Sequence, residues 1–90
     1  MNVVEQTLKT ESVVDIITVF ALIWPLPTLD RMFNQHRREA FFSGEFADVY
    51  RRLYDEGVLV RDGRLAIKGP NWKAPQFFIE QQKLAEEQQI

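Results

Sequence analysis

The sequence predicts a mainly α-helical fold with one small β-hairpin. The clearest helical pattern runs from Phe46 to Tyr54, where apolar residues recur at three- and four-residue spacing. Gly57 follows at the position where a helix C-terminus favours glycine. Two short β-type runs then flank Asp62-Gly63, a pair typical of a type I′ hairpin turn. Two helical segments precede this region and one follows it, which gives a three-helix core, a hairpin and an additional C-terminal helix.

The first predicted helix begins after Ser12, because a serine followed three residues later by Asp15 is typical of a helix N-terminus. Its apolar residues lie on nearly all sides, which indicates a central, buried helix. It ends near Trp24, because Pro25 disfavours helical geometry in the residue before it. Residues 1–10 either extend this helix, form a short strand or are flexible, and the sequence does not decide among these.

The second predicted helix begins at Thr28, a suitable N-cap after Pro27, and ends around residues 40–42. Ser43-Gly44 then provides a break and a cap for the third helix. After the hairpin, Pro75 at a first helical position begins the last helix, which the sequence places from Gln76 to about residue 89.

The returning strand of the hairpin spans residues 64–68, with Leu65 and Ile67 on one face because side chains alternate along a strand. Gly69-Pro70 ends it. We expect one core that contains Phe20, Phe33, Phe46, Tyr50 and Leu53.

Length and composition indicate one globular domain over residues 1–90, with 46% hydrophobic, 12% aromatic and 27% charged residues. The chain has no cysteine, which excludes disulfides and thiolate metal sites and agrees with a reducing cytoplasm. The longest apolar run, residues 16–29, is too short and too interrupted by proline to span a bilayer. We therefore expect a cytoplasmic protein with no signal peptide and no membrane partner.

Catalytic chemistry has few candidate residues. His36 is the single histidine, and the two serines, Ser12 and Ser43, both occupy helix-capping positions. The four glycines are each explained by a turn or a cap and not by a phosphate-binding loop. The expectation is a protein that is not an enzyme and that has no cofactor and no metal.

Charge is distributed unevenly along the chain. Residues 1–30 carry a net charge of −3, residues 31–73 carry +3 and residues 74–90 carry −2. A basic middle between acidic ends points to a polyanionic partner for the helix-and-hairpin region. An equally good interpretation is that charged residues, which are abundant in the chain, are unevenly distributed by chance.

The basic residues of that middle region are the candidate DNA contacts. Arg51 and Arg52 lie on the solvent side of the third helix, yet Glu45 and Asp48 occupy its first turn and would repel phosphate. Pairing of these arginines with neighbouring acids is the competing reading. Arginines beside the hairpin turn suit a narrow, negative minor groove, or protect edge strands from mispairing. The candidate DNA contacts are Arg37, Arg38, Arg51, Arg52, Arg61, Arg64 and Lys68.

The apolar residues after the hairpin exceed what a three-helix core needs. We expect them to form a partner or dimer interface on the C-terminal helix, while the alternative is that this helix folds back on the first helix. The candidate interface residues are Trp72, Phe77, Phe78, Ile79 and Leu84.

The element order of three helices and a hairpin is that of a winged helix. Residues Thr28 to Trp72 resemble the winged helix-turn-helix superfamily of bacterial and phage transcription regulators. The resemblance is carried by Leu53, Asp55-Glu56-Gly57, the apolar run 58–60 and Asp62-Gly63-Arg64. It implies DNA contact by the third helix and by the hairpin, which is called the wing in that family.

A second segment, Val13–Ile23, is similar to the first helix of the anti-sigma factor of T-even phages, through Ile16-Ile17-Thr18-Val19 and Leu22-Ile23. This resemblance implies a protein partner, a polymerase sigma subunit, bound through an N-terminal helical face, together with self-association.

Two functions follow from the sequence. The first is a small DNA-binding transcriptional regulator that contacts double-stranded DNA and forms a homodimer. The alternative is a protein-binding winged helix without DNA contact, such as a phage or bacterial inhibitor, an anti-sigma factor, an antitoxin or an immunity-type protein. Fold alone does not decide between them.

Overall fold

The computed structural model describes residues 3–88, with side chains described up to residue 86. These residues form mainly helices and one two-stranded antiparallel hairpin, as the sequence predicts. In chain order the elements are α1 (Val3–Thr10), α2 (Val13–Phe20), α3 (Leu26–His36), α4 (Arg38–Phe42), α5 (Glu45–Asp55), β1 (Leu59–Asp62), β2 (Leu65–Lys68) and α6 (Gln76–Gln88).

The N-terminal residues form a separate helix, α1, which is neither an extension of α2 nor a strand; Met1 and Asn2 lie outside the described residues. The predicted serine cap is confirmed, because the Asp15 amide donates to the Ser12 hydroxyl over 3.2 Å. Helix α2 ends at Phe20, before the predicted end near Trp24, and residues 21–23 continue as turns.

The second predicted helix begins earlier than expected and is broken in two. It begins at Leu26, because the Pro25 carbonyl accepts the amides of Thr28 and Leu29 and a proline in the first turn needs no hydrogen bond. The Thr28 N-cap is therefore wrong. At Arg37 the backbone leaves helical geometry (φ −140°, ψ 58°), which separates α3 from α4.

The core lies between α2, α3 and α5 and is closed by α1 on one side and by the hairpin on the other. Leu8 of α1 and Leu59 of β1 are fully buried, so both outer elements contribute to it. Four of the five predicted core residues are buried, and Tyr50 is half-buried at the edge. The large side chains with almost no exposure are Phe33, Leu8, Ile16, Ile17, Leu29 and Leu59.

Helix α5 ends in a Schellman motif, which confirms the predicted role of Gly57. Gly57 has φ +76°, its amide donates to the Tyr54 carbonyl, and the Val58 amide donates to the Leu53 carbonyl over 2.9 Å. This geometry turns the chain directly from the helix into β1.

The hairpin turn lies one residue further along the chain than predicted. Asp62 pairs with Leu65, so the two loop residues are Gly63 and Arg64, and only Gly63 has a positive φ. This sign pattern is that of a type II′ turn, so the type I′ assignment to Asp62-Gly63 is wrong. The observed register keeps Arg61 opposite Ala66, whereas the predicted one would place Arg61 directly opposite Arg64.

A set of hydrogen bonds holds the base of the hairpin against α5. The Gly69 amide donates to the Val58 carbonyl over 2.8 Å, and the Asn71 amide donates to the Gly57 carbonyl over 3.0 Å. The Asn71 side chain donates to the Glu56 carbonyl over 2.7 Å. On the other side, the Ala66 amide donates to the Ala21 carbonyl after α2. We call the bonds between 56–58 and 69–71 the hairpin clasp.

Helix α6 begins at Gln76 after a buried Pro75, as predicted; the predicted end near residue 89 lies outside the described residues. Its first turn is half-buried, with Phe77 packed against the core, whereas side chains 80–86 are exposed.

The hairpin clasp predicts that Gly69→Ala is strongly destabilising. A Cβ at Gly69 would overlap the Gly57 carbonyl oxygen and lie 2.9 Å from its carbonyl carbon, so the backbone must shift. We expect a loss of about 3 kcal/mol in the free energy of unfolding, measured by urea denaturation.

Gly63→Ala is the matched control, because a Cβ at Gly63 would have no atom within 4 Å. The free energy of unfolding should then fall only by the cost of a left-handed backbone at a residue with a side chain, about 1 kcal/mol. Equal losses in the two variants would contradict the tight contact.

Candidate nucleic-acid interface

Helix α5 presents three kinds of surface. Phe46, Val49 and Leu53 are buried against the core. Next to this buried face, Tyr50 and Tyr54 lie half-buried on the flank that adjoins the hairpin. The acids and the arginines of the helix occupy the exposed remainder. This division follows from the i, i+3, i+4 spacing of its apolar residues.

A continuous run of aromatic rings follows the tyrosine flank of α5. Phe42 contacts Phe41 edge-on with ring centroids 5.4 Å apart, and Phe41 lies 6.0 Å from Phe46. Phe46 lies 6.1 Å from Tyr50, which lies 5.0 Å from Tyr54. We call these five residues the aromatic strip. Phe46 is its buried member, so the accessible parts of the strip are the Phe42 end and the two tyrosines.

An arginine lies over each end of the aromatic strip. The Arg38 guanidinium carbon lies 5.6 Å from the centroid of the Phe42 ring, and that of Arg61 lies 5.1 Å from the centroid of the Tyr54 ring. Both distances are within the range of cation–π attraction. Among the residues that the structure describes, neither arginine has a carboxylate within 4.0 Å. Both cations are therefore held in place without being neutralised.

The tyrosine hydroxyls add a hydrogen-bond donor to the strip. The oxygens of Tyr50 and Tyr54 lie 3.2 Å apart in a hydrogen bond. One hydroxyl donates to the other, which leaves the second hydroxyl free to donate its own proton. Burial, followed by this hydrogen bond, raises the pKa of Tyr54 to about 12, so the hydroxyl stays protonated at neutral pH.

The two arginines on the exposed side of α5 pair with acids on the same helix. Arg51 lies 3.5 Å from Asp48, and Arg52 lies 3.8 Å from Glu56. All four side chains are more than half exposed, so these pairs add little stability but do offset the positive charge. The two arginines are therefore paired with neighbouring acids, which was the alternative to DNA contact.

Arg37 has a structural position. Its guanidinium donates to the carbonyls of Leu8 and Glu11 over 3.0 and 2.6 Å, and its side chain is 18% exposed. Cations are favourable beside the free carbonyls of a helix C-terminus, so this contact attaches the end of α1 to the break between α3 and α4. A guanidinium in this position is not free to contact a ligand.

The remaining two basic candidates lie on the hairpin. Arg64 is an exposed loop residue at the tip, with no ion pair among the described residues. The Lys68 ammonium lies 4.4 Å from the centroid of a Trp72 ring. Arg61 and Lys68 share the inner face of the hairpin at diagonal positions. Together with Arg64 they make three hairpin cations that have no carboxylate partner in the part of the chain that the structure describes.

The predicted partner residues near α6 are largely used within the chain. The Trp72 indole donates to the Thr18 carbonyl over 2.9 Å, and Phe78 contacts Trp72 edge-on. Phe77 packs against the core and Ile79 is half-buried, whereas Leu84 is 50% exposed. These contacts are confined to Trp72 and the first turn of α6, because side chains 80–86 are exposed.

The outer face of the hairpin is exposed and carries three aliphatic side chains beside Asp62. Val60 pairs with Ile67 across the strands, and Leu65 lies on the same face. Their exposed fractions are between 37% and 47%. The sequence correctly places Leu65 and Ile67 together, and the structure adds that nothing among the described residues covers them.

The described residues show no metal-binding cluster. No three His, Cys, Asp or Glu side chains within residues 3–88 lie close enough to bind one metal ion. A cleft of about 210 Å³ beside α2 has Asp15, Glu56 and Lys73 on its wall, and this volume is small for an organic ligand. No described helix has the length and apolarity needed to cross a membrane.

The chain matches no protein-family model, no curated protein and no solved structure. The residues of the interface therefore have to be assigned from geometry.

The aromatic strip was not recognised as a surface in the sequence analysis. Its signals are the i, i+4 pairs Arg38–Phe42 and Tyr50–Tyr54, which place the members of each pair on one side of a helix. The position of Arg61 over Tyr54 has no such local signal, because it depends on how the hairpin packs.

The raised pKa of Tyr54 predicts a stability change at high pH. Ionisation is easier in the unfolded chain, where the tyrosine pKa is near 10, than in the folded protein, where it is about 12. The contribution of Tyr54 is therefore complete below about pH 10 and is lost as the pH rises through about 12. Urea denaturation across this range should show a steeper fall for the natural chain than for Tyr54→Phe. Identical pH profiles would contradict the raised pKa of Tyr54.

Proposed function

We propose that this protein is a small DNA-binding regulator of the winged-helix type, which contacts nucleic acid with the aromatic strip and the hairpin. The observation that carries the proposal is the pair of arginines over the two ends of the strip, neither of which has a carboxylate partner within residues 3–86. The order of α2, α3, α5 and the hairpin supports the winged-helix assignment, as does the bond from Ala66 to the Ala21 segment beside the hairpin.

Cations on aromatic rings suit phosphate contacts. A ring orients a guanidinium while leaving its N–H groups free, whereas a carboxylate occupies them. Arg38, Arg61 and Lys68 each lie over a ring in this way. Arg64 is an exposed cation at the hairpin tip with no ion pair among the described residues. We infer that these four residues, and not the whole predicted set, make the principal DNA contacts. The free tyrosine hydroxyl of the strip adds a neutral donor for a phosphate oxygen.

The exposed side of α5 contributes less to binding in this proposal. Glu45 and Asp48 lie in its first turn, and Asp48 offsets the charge of Arg51. A helix that enters the major groove with acids at its leading end would be repelled by the phosphates. We therefore propose that Arg51 and Arg52 contribute little, and that Arg37 acts only on stability.

A protein-binding role is the second candidate, and the apolar outer face of the hairpin favours it. Three neighbouring aliphatic side chains on one face of a small protein are typical of a protein contact. This face points away from the side that carries Arg61 and Lys68, so both roles are geometrically compatible.

The remaining parts of the proposal rest on the sequence. We propose a cytoplasmic binding protein that is not an enzyme. Self-association through α6 stays a prediction, with Leu84 as its most exposed candidate residue. Sedimentation velocity over a range of protein concentrations would measure it.

The proposal predicts the salt dependence of DNA binding. Affinity for a labelled 20-base-pair duplex, measured by fluorescence anisotropy, should fall steeply with salt, because each phosphate contact releases counterions. Arg61→Ala and Arg64→Ala should each lower the slope of log affinity against log salt by about 1. Arg51→Ala removes the same charge from a paired position and should change the slope much less.

Ile67→Ser is the second control, because it alters only the apolar outer face and should bind as the natural chain does. Absence of duplex and single-strand binding at low salt would refute the proposal and leave the protein-binding role. A larger loss of DNA affinity in Arg51→Ala than in Arg61→Ala would instead indicate that α5 makes the DNA contact.

A further inference from the structure

Phe42 is the most exposed large apolar side chain among the described residues, with 67% of its surface accessible. It does not contribute to the core, which begins with the half-buried Phe41 beside it. Burying this exposed apolar area against a ligand would be favourable. The packing of the chain therefore leaves most of the Phe42 ring available for a contact.

The Phe42 ring is held in a defined position. Phe41 contacts it at right angles (89°), and the Arg38 guanidinium lies over it. The backbone behind it is fixed as well, because the Ser43 amide donates to the Glu39 carbonyl and Gly44 adopts φ +89° to begin α5. A rigid ring loses little conformational freedom on binding, which favours it as a contact residue.

We propose that Phe42 stacks on an unpaired nucleobase, so that this interface prefers single-stranded or locally unpaired nucleic acid to a continuous duplex. The inference rests on the proposed nucleic-acid function. An exposed aromatic ring beside a cation is the arrangement by which proteins bind single strands without reading their sequence. In an intact duplex both faces of every base are covered by neighbouring bases, so the ring has no free base to contact without unstacking the helix.

The charges around Phe42 agree with a base at this position and phosphates beside it. Arg38 is the cation over the ring and has no carboxylate partner among the described residues. Glu45 and Asp48 lie in the first turn of α5, three and six residues after Phe42, and their charges disfavour a phosphate but not a neutral base. The strand would continue along the aromatic strip towards the second unpaired cation, Arg61.

The test compares a labelled 15-nucleotide mixed-sequence single strand with the same sequence as a duplex, using fluorescence anisotropy at one salt concentration. We expect the single strand to bind more tightly. Phe42→Ala should weaken single-strand binding about tenfold, because loss of one base-stacking contact has an effect of that order. The same change should weaken duplex binding much less. Phe42→Tyr keeps the ring and should restore single-strand binding.

Ile23→Ala is the matched control, because Ile23 is 59% exposed and lies outside the aromatic strip. We expect each variant to keep the fold, because Phe42 is exposed and not part of the core. Circular dichroism of each variant checks this. Equal losses on single strand and duplex in Phe42→Ala, or no loss on either, would overturn the stacking role while leaving DNA binding intact. Absence of binding to both probes by the natural chain would instead refute the proposed function itself.

Discussion

The position of the hairpin relative to α5 depends on one backbone constraint, the close approach of Gly57 and Gly69. Gly57 takes a left-handed conformation that ends the helix, and its carbonyl lies so near Gly69 that no side chain fits between them. The bonds of the hairpin clasp then fix both strands at their base. This junction sets where the hairpin leaves α5, and the hairpin in turn carries Arg61, which lies over Tyr54.

Arginine has three different roles in this small protein, and its partners decide which. Arg37 is mostly buried and donates to backbone carbonyls, so it connects helices. Arg51 and Arg52 pair with acids one turn away on the same helix, so the positive charge of each arginine is offset. Arg38 and Arg61 lie on aromatic rings and keep both their charge and their donors. In the sequence these residues are indistinguishable as cations. In the folded chain their roles differ because each side chain contacts different groups.

Local rules predict much of the fold. The serine cap of α2, the apolar spacing of α5 and the role of Gly57 all depend on residues within one or two turns, and all are confirmed. The break at Arg37 and the hairpin register were not predicted, because they depend on distant groups. Arg37 binds carbonyls 26 and 29 residues earlier in the chain. The register places Ala66 where its amide meets Ala21.

The candidate site was predictable only in part for the same reason. The sequence identifies the basic residues of the hairpin. It does not show that they lie over aromatic rings instead of pairing with carboxylates, because that depends on how the hairpin packs. The aromatic residues were assigned to a core, and four of the five residues assigned to it are indeed buried. Hydrophobic periodicity does not distinguish a buried ring from one on the border of the core, so Phe42, Tyr50 and Tyr54 were not recognised as a surface.

Amide hydrogen exchange measured by NMR tests the central claim most directly, that the hairpin is fixed rigidly beside α5. The amides of Val58, Gly69 and Asn71 form the junction, whereas Arg64 at the tip serves as an exposed reference. If the hairpin opens only when the whole protein unfolds, the three junction amides exchange as slowly as those of the buried face of α5. Exchange of these amides at the rate of Arg64 would show a loosely attached hairpin and would contradict a preformed interface.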